Sequence, residues 1–275
     1  MKTHVLLLIL SCLLFLSCED VIDVDVPTTE PQLVVDAYIR AGLSENGRAF
    51  VEENEIKLTL SAPFFDGQVP LVTDALVTIT DETGNIFVYE DINNDGIYMP
   101  DLPFNAVDLG ETYTLTIEYD GEVYTATAQL MPSVPIDNIE QGDGTLFDGD
   151  EIEIILSFTD DGTRDDYYLF DFDFGEFLTS EDRFYQGNEF SFSYFYEDMP
   201  VGQEVTISIL GIDEQFYNYM NILLDQSDDT DGPFATPPAT ARGNIVNTTD
   251  QDNFALGYFA ISESDSQQFT IQERN

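Results

Sequence analysis

Residues 91 to 99 read DINNDGIYM. Asp91, Asn93 and Asp95 fall at alternate positions and Gly96 follows, which is the opening spacing of an EF-hand-like calcium loop. In such a loop, carboxylate and amide oxygens gather round a hard cation, a glycine makes the sharp turn, and the next residue (here Ile97) offers its carbonyl. The twelfth position, which should hold a bidentate glutamate, is Leu102, and the flanks IFVYE and Met99-Pro100 are strand-like rather than helical. Two readings stand: a calcium site in an extracellular loop, and a tight acidic β-turn. Asp160-Asp161-Gly162 with Asp165-Asp166 around Arg164, and the run Asp225, Asp228, Asp229 and Asp231, also divide between cation ligands and solvated loops.

Other reactive side chains are scarce. The single histidine is His4 and the two cysteines are Cys12 and Cys18. Removal of a lead segment at Cys18, with lipid on that cysteine, would leave no histidine and no free thiol. The common general base, the Ser-His and Cys-His nucleophile pairs and the usual zinc ligands are then excluded, as are disulfides. Glycoside hydrolysis needs two carboxylates about 5–10 Å apart, but among 54 acids the sequence picks no pair. The chain has no tryptophan platform for sugars, and its 14 tyrosines alternate as strand-core residues do. No catalytic residue is assigned, and the protein is not expected to be an enzyme.

Eight Lys and Arg face 54 Asp and Glu, a formal net charge of −46. Such a surface repels nucleic acid and anionic lipid, so no nucleic-acid partner is expected. Solubility in a salty habitat, divalent cations and a cationic partner all remain open as reasons for the acid. With 43% hydrophobic residues over 275, the chain can still bury sizeable cores.

The elements that would position these groups are mostly strands. Leu33–Ile39, Ile56–Leu60 and Ala75–Thr80 have strand character. In Thr112–Leu130, Tyr113, Leu115, Ile117 and Tyr119 alternate with polar residues before Asp120-Gly121, a favoured hairpin turn pair. An N-terminal β-sandwich of immunoglobulin or transthyretin type is expected over 33–131. Met131-Pro132-Ser133-Val134-Pro135 marks a boundary, and 136–275 reads as a second, aromatic-rich β-domain. Its alternating sets are Ile152/Ile154/Leu156/Phe158, Tyr168/Phe170/Phe172/Phe174, Phe190/Phe192/Tyr194/Tyr196 and Val205/Ile207/Ile209. One short α-helix is expected near 213–225, where Phe216, Tyr219, Met220, Leu223 and Leu224 recur at helical spacing behind Asp213 as N-cap. Final strands are expected around 254–261 and 269–271.

At the N-terminus, Lys2 precedes an apolar run from Val5 to Leu16, of signal-peptide length and too short to span a bilayer. Leu16-Ser17-Cys18 resembles a bacterial lipobox, with Phe15 where leucine is usual. Residues 1–17 are therefore expected to be a lipoprotein signal peptide, Cys18 the lipid-attachment site and 18–32 an acidic tether. Glu19, Asp20, Asp23 and Asp25 resemble the signal that sends lipoproteins of Bacteroidetes-type bacteria to the cell surface.

CEDVIDVDVP, LVVDAYI, GIYMPD, GETYTLTIEYDG and the run from EQFYNYMNILLDQ through PFATPPATARGNIVN to ALGYFAI together resemble Bacteroidetes outer-membrane lipoproteins with a domain of unknown function, DUF4249. The resemblance implies a non-catalytic accessory or binding partner of a TonB-dependent nutrient transporter, held on the outer membrane through lipid, with no cofactor expected unless calcium binds. The alternatives are an adhesive or structural surface protein stiffened by calcium at Asp91, Asn93 and Asp95, and a carboxylate-dependent hydrolase.

Overall fold

Thr112–Tyr119 (β8) and Glu122–Met131 (β9) form the hairpin that their alternation predicts, with Asp120 and Gly121 both at positive φ in the turn. Tyr113, Leu115 and Ile117 are buried with Tyr124, Ala126, Ala128 and Leu130. A sheet with one apolar face must cover it, and here it does so by curling. The computed structural model describes residues 30–63, 68–101, 104–146, 149, 151–197, 199–227 and 240–274. It is mainly β, with 52% strand and one helix.

Eight strands close into a barrel. In ring order they are Leu256–Thr270 (β17), β9, β8, Leu76–Thr80 (β4), Ile86–Glu90 (β5), Ile97–Pro100 (β6), Ile56–Leu60 (β3) and Leu33–Gly42 (β1), which returns to β17. All neighbours are antiparallel except at β17. That strand runs parallel to β1, from Val34 opposite Leu256 to Gly42 opposite Ser264, and parallel to β9 at Ile261 and Leu130. Val35, Ala37, Ile39, Leu58, Ile79, Leu115, Ile117, Phe259 and Ile261 fill the interior. Arg48–Glu53 (β2) and Ala106–Asp108 (β7) extend the sheet beyond β1, and Val246–Asn247 (β16) pairs with β9.

The expected N-terminal sandwich is thus corrected to a barrel. Alternation in residues 33–131 specifies a one-faced sheet. The element that decides between a second sheet and closure is β17, far away in sequence. Residues 132–135 lead out of the barrel, and β17 comes back to close it; the chain from Pro31 onward is one compact unit.

Two layers of strands enclose a second core. One layer is Ile136–Gln141 (β10), Ile152–Thr159 (β11) and Glu189–Tyr196 (β14). The other is Phe177–Glu181 (β13), Tyr167–Asp171 (β12), Glu204–Ile212 (β15) and the far half of β17, which pairs with β15 from Ser264 to Thr270. Phe158, Tyr168, Phe170, Phe172, Ile207 and Ile209 meet between them. Phe158 touches Tyr168, Phe170, Tyr185 and Phe190 at centroid separations of 5.5–6.0 Å, the spacing of edge-to-face aromatic packing. Phe174 departs from the expected face. It sits at the β12–β13 turn with φ 53° and is 62% exposed.

The helix α1 (Glu214–Ser227) lies on the opposite side of this sheet. Phe216, Tyr219 and Met220 pack on Leu169, Leu210, Ile212, Tyr258 and Ala260. Asp213 caps it, Oδ1 accepting the Phe216 N–H at 2.6 Å. The two expected final strands are one, because β17 carries Ser262-Glu263-Ser264-Asp265-Ser266 through the junction of barrel and second core, with Ser262, Glu263 and Ser264 buried.

Candidate functional site

The carboxylates of Asp160, Asp166 and Asp182 come within 4.8 Å of one another, and all three residues are buried. Among the described residues this is the one group of three acidic side chains close enough to hold a metal ion. Asp160 ends β11, Asp166 precedes β12, and Asp182 opens a single 3-10 turn, Asp182–Phe184, after β13. Two connections therefore build the site, and backbone contacts hold them together. Asp160 N–H donates to Asn188 O (3.1 Å) and Asp182 N–H to Asp166 O (3.1 Å). A Cβ on Gly162 would lie 2.7 Å from the Cα of Gly187, so the approach is open to glycine alone.

Each carboxylate has its own partners. Gly187 N–H donates to Asp160 Oδ2 (2.7 Å), and Asp166 N–H to Asp182 Oδ2 (2.9 Å). Arg164 reaches Asp166 through Nε and Asp161 through Nη1, both at 2.6 Å, and donates Nη2 to the Ser133 carbonyl at 3.1 Å. Tyr168, fully buried, sets its hydroxyl 2.6 Å from Asp160 Oδ1 and 3.0 Å from Asp166 Oδ2. One hydroxyl proton serves one carboxylate. Asp166 has its cation in Arg164, whereas neither Asp160 nor Asp182 has one within ion-pair distance among the described residues.

The electrostatics agree. Burial raises Asp166 above the ordinary carboxylate range despite the opposing pull of Arg164, and burial likewise raises Asp182. Burial together with its two carboxylate neighbours pushes the Tyr168 hydroxyl well above its usual value. Of the four carboxylates, counting Asp161, only Asp161 and Asp166 pair with the one guanidinium. A divalent cation held by Asp160, Asp166 and Asp182 would supply the missing charge through all-oxygen ligation, the donor set that suits calcium. Phe184 stands beside the cluster at 87% exposure.

The sequence-derived loop is differently arranged. Asp91 Oδ1 accepts Asp95 N–H (3.2 Å), Asp91 Oδ2 accepts Gly96 N–H (2.9 Å), and Asp95 Oδ1 accepts Ile97 N–H (3.1 Å). The loop is closed on its own backbone between β5 and β6, with Asn93 in its exposed middle. Of the acidic loops read from sequence, Asp160 and Asp166 meet, whereas Asp161 and Asp165 turn to Arg164 and Gln186. Asp182 carried no sequence signal, since only the fold brings it to the other two. Cys18 and residues 228–239 lie outside the described residues.

A groove of about 1140 Å³ lies among the described residues. It is lined by β13 (Phe177, Thr179), by α1 (Asn221, Asp225) and by the end of β14 (Tyr194, Phe195), and runs to Tyr38 and Arg40. Arg40 is already paired with Asp171 (2.6 Å) and Glu53 (3.3 Å).

A closed barrel joined to an aromatic two-layer core by one shared strand defines a mainly β protein with an acidic, oxygen-rich site. The profile of the family described as a domain of unknown function (DUF4249) matches residues 19–268, and the chain belongs to that family. No curated protein matches it significantly. Among the described residues no helix is long and apolar enough to cross a membrane, which says nothing of β-barrel membrane proteins.

Proposed function

We propose that the protein is a lipid-anchored outer-membrane lipoprotein displayed at the cell surface, where it serves without catalysis as accessory or binding partner of a TonB-dependent nutrient transporter. The observation that carries this reading is the junction Leu16-Ser17-Cys18 followed by Glu19, Asp20, Asp23 and Asp25. Acyl chains at Cys18 would hold an otherwise water-exposed body at the membrane, since two or more chains give stable attachment. The groove described above suits a binding role, and the chain beyond Cys18 has neither histidine nor cysteine.

The test is affinity purification of the tagged protein from native membranes in mild detergent, with mass spectrometry of its companions and of the Cys18 peptide. One outer-membrane barrel at near-stoichiometric yield and a diacylglyceryl adduct at Cys18 are expected. An unlipidated protein recovered from the cytosol would overturn the proposal. A second reading, a structural or adhesive surface protein stiffened by calcium, is favoured by the buried convergence of Asp160, Asp166 and Asp182. It predicts a lipidated protein that purifies alone and melts higher in calcium.

A further inference from the structure

The outer edge of β13 has no partner among the described residues: the strand pairs with β12 in unbroken register from Tyr167 opposite Glu181 to Asp171 opposite Phe177, and the sheet ends there. Natural proteins guard such edges with lysine, proline or a bulge, because unpaired N–H and C=O groups invite another strand. FLTSE carries no lysine, proline or bulge, and its one charged residue is Glu181 at the end of the five-residue strand. The groove runs along this edge, with α1 on one flank and the end of β14 on the other.

Charge decides what fits. Glu176, Glu197 and Asp225 line the groove, and none has a cation within ion-pair distance among the described residues. The one cation in the lining, Arg40, is answered by Asp171 and Glu53. A second copy of this chain is a poor occupant, since each carries a net charge of −46 and like charge opposes association. We propose that the β13 edge and its groove receive an extended, lysine- or arginine-bearing segment of a partner protein, added to the sheet as a further strand. Main-chain hydrogen bonds along β13 supply affinity, and alternate side chains reach the acidic flank and the aromatic rings. This docking surface does not depend on the membrane anchor or on the partner being a transporter.

The test uses the full chain in detergent and three ten-residue probes: alternating Lys and Val, the same peptide N-methylated at alternate amides, and alternating Glu and Val. The Lys/Val peptide is expected to bind and to protect amides of residues 177–181 from hydrogen exchange. The N-methylated analogue, equal in charge but short of edge donors, should bind at least about tenfold more weakly. Glu/Val should not bind. Combining Glu197→Gln with Asp225→Asn, both at exposed positions, should weaken the Lys/Val peptide roughly threefold to tenfold. Equal affinity for the two cationic peptides, or protection elsewhere than 177–181, would mean adventitious attraction to an acidic surface and would overturn the proposal. So would a dimer in sedimentation that protects 177–181 without peptide, because the edge would then belong to a second copy.

Discussion

The carboxylate of Glu263, in the middle of β17, accepts the backbone N–H of Ser133 at 3.0 Å, both residues being buried. Its other oxygen accepts the Ser44 N–H at 3.2 Å. The segment leaving the barrel and the loop after β1 are thus tied to the strand that both cores share. Removing such an acceptor strands its donors.

Glu263→Leu should therefore cost roughly 2–4 kcal/mol in chemical denaturation, one buried and one half-buried N–H group losing their acceptor. Glu263→Gln should fall between, since one amide oxygen remains. An unchanged midpoint for the leucine variant would show that water or a rearranged backbone takes over.

Gly257 has φ 98°, and a Cβ there would overlap the carbonyl of Val35 on the parallel neighbour β1. Gly257→Ala combines left-handed strain with a backbone clash and should lower stability by about 3 kcal/mol or more. The loss should be read as faster hydrogen exchange in β1 and β17, ahead of β11 and β14.

Asp182 bears on pH. Its carboxyl is raised by burial, so between the ordinary carboxylate value near 3.8 and its folded value the native chain holds a proton that the unfolded chain has released. Stability is fully present below that window and falls as pH rises through it. Asp182→Asn keeps an oxygen for the Asp166 N–H and removes the charge. In metal-free buffer at pH 7 it should stabilise by about 1 kcal/mol, a melting shift of roughly 2–4 °C, and the gain should vanish toward pH 3.

Calcium should reverse that order. At about 1 mM calcium the native protein should melt higher, as a ligand bound by the folded state alone requires, while Asp182→Asn should respond little. Calorimetry with and without chelator checks both. A parent protein indifferent to calcium would leave the cluster to protons.

Asp213→Ala removes the cap of α1 and a 3.3 Å contact from the Tyr258 hydroxyl. A loss of about 1 kcal/mol is expected, seen as faster exchange confined to Glu214–Ser227.

What could be read from the sequence was local. The β8–β9 hairpin follows from period-two alternation and Asp120-Gly121, and the helix from its spacing and Asp213. What could not be read was set by long-range pairing. Ser262–Ser266 looks like a loop because it is polar, yet its partners (the N–H groups of Ser133 and Ile136, the Ala41 carbonyl and the Ser208 hydroxyl) come from three distant segments. Asp160 and Asp166 stood out beside Arg164, whereas Asp182 gains meaning from the β12–β13 hairpin that folds it back. Barrel and sandwich share one alternation, and closure was decided at Gly257, where β17 can approach β1.

The place of β17 in the chain also sets an order of events in time. Strands β1 to β9 can pair as they emerge, but their ring stays open until residues 256–264 arrive to bridge β9 and β1. Between Met131 and Leu256 lie over a hundred residues, which at ~5–20 residues per second take on the order of ten seconds to synthesise. Without β17 the ring is open at β9 and β1, and contacts so distant in sequence form slowly. A chaperone that acts before β17 is in place would meet that open ring, not the barrel.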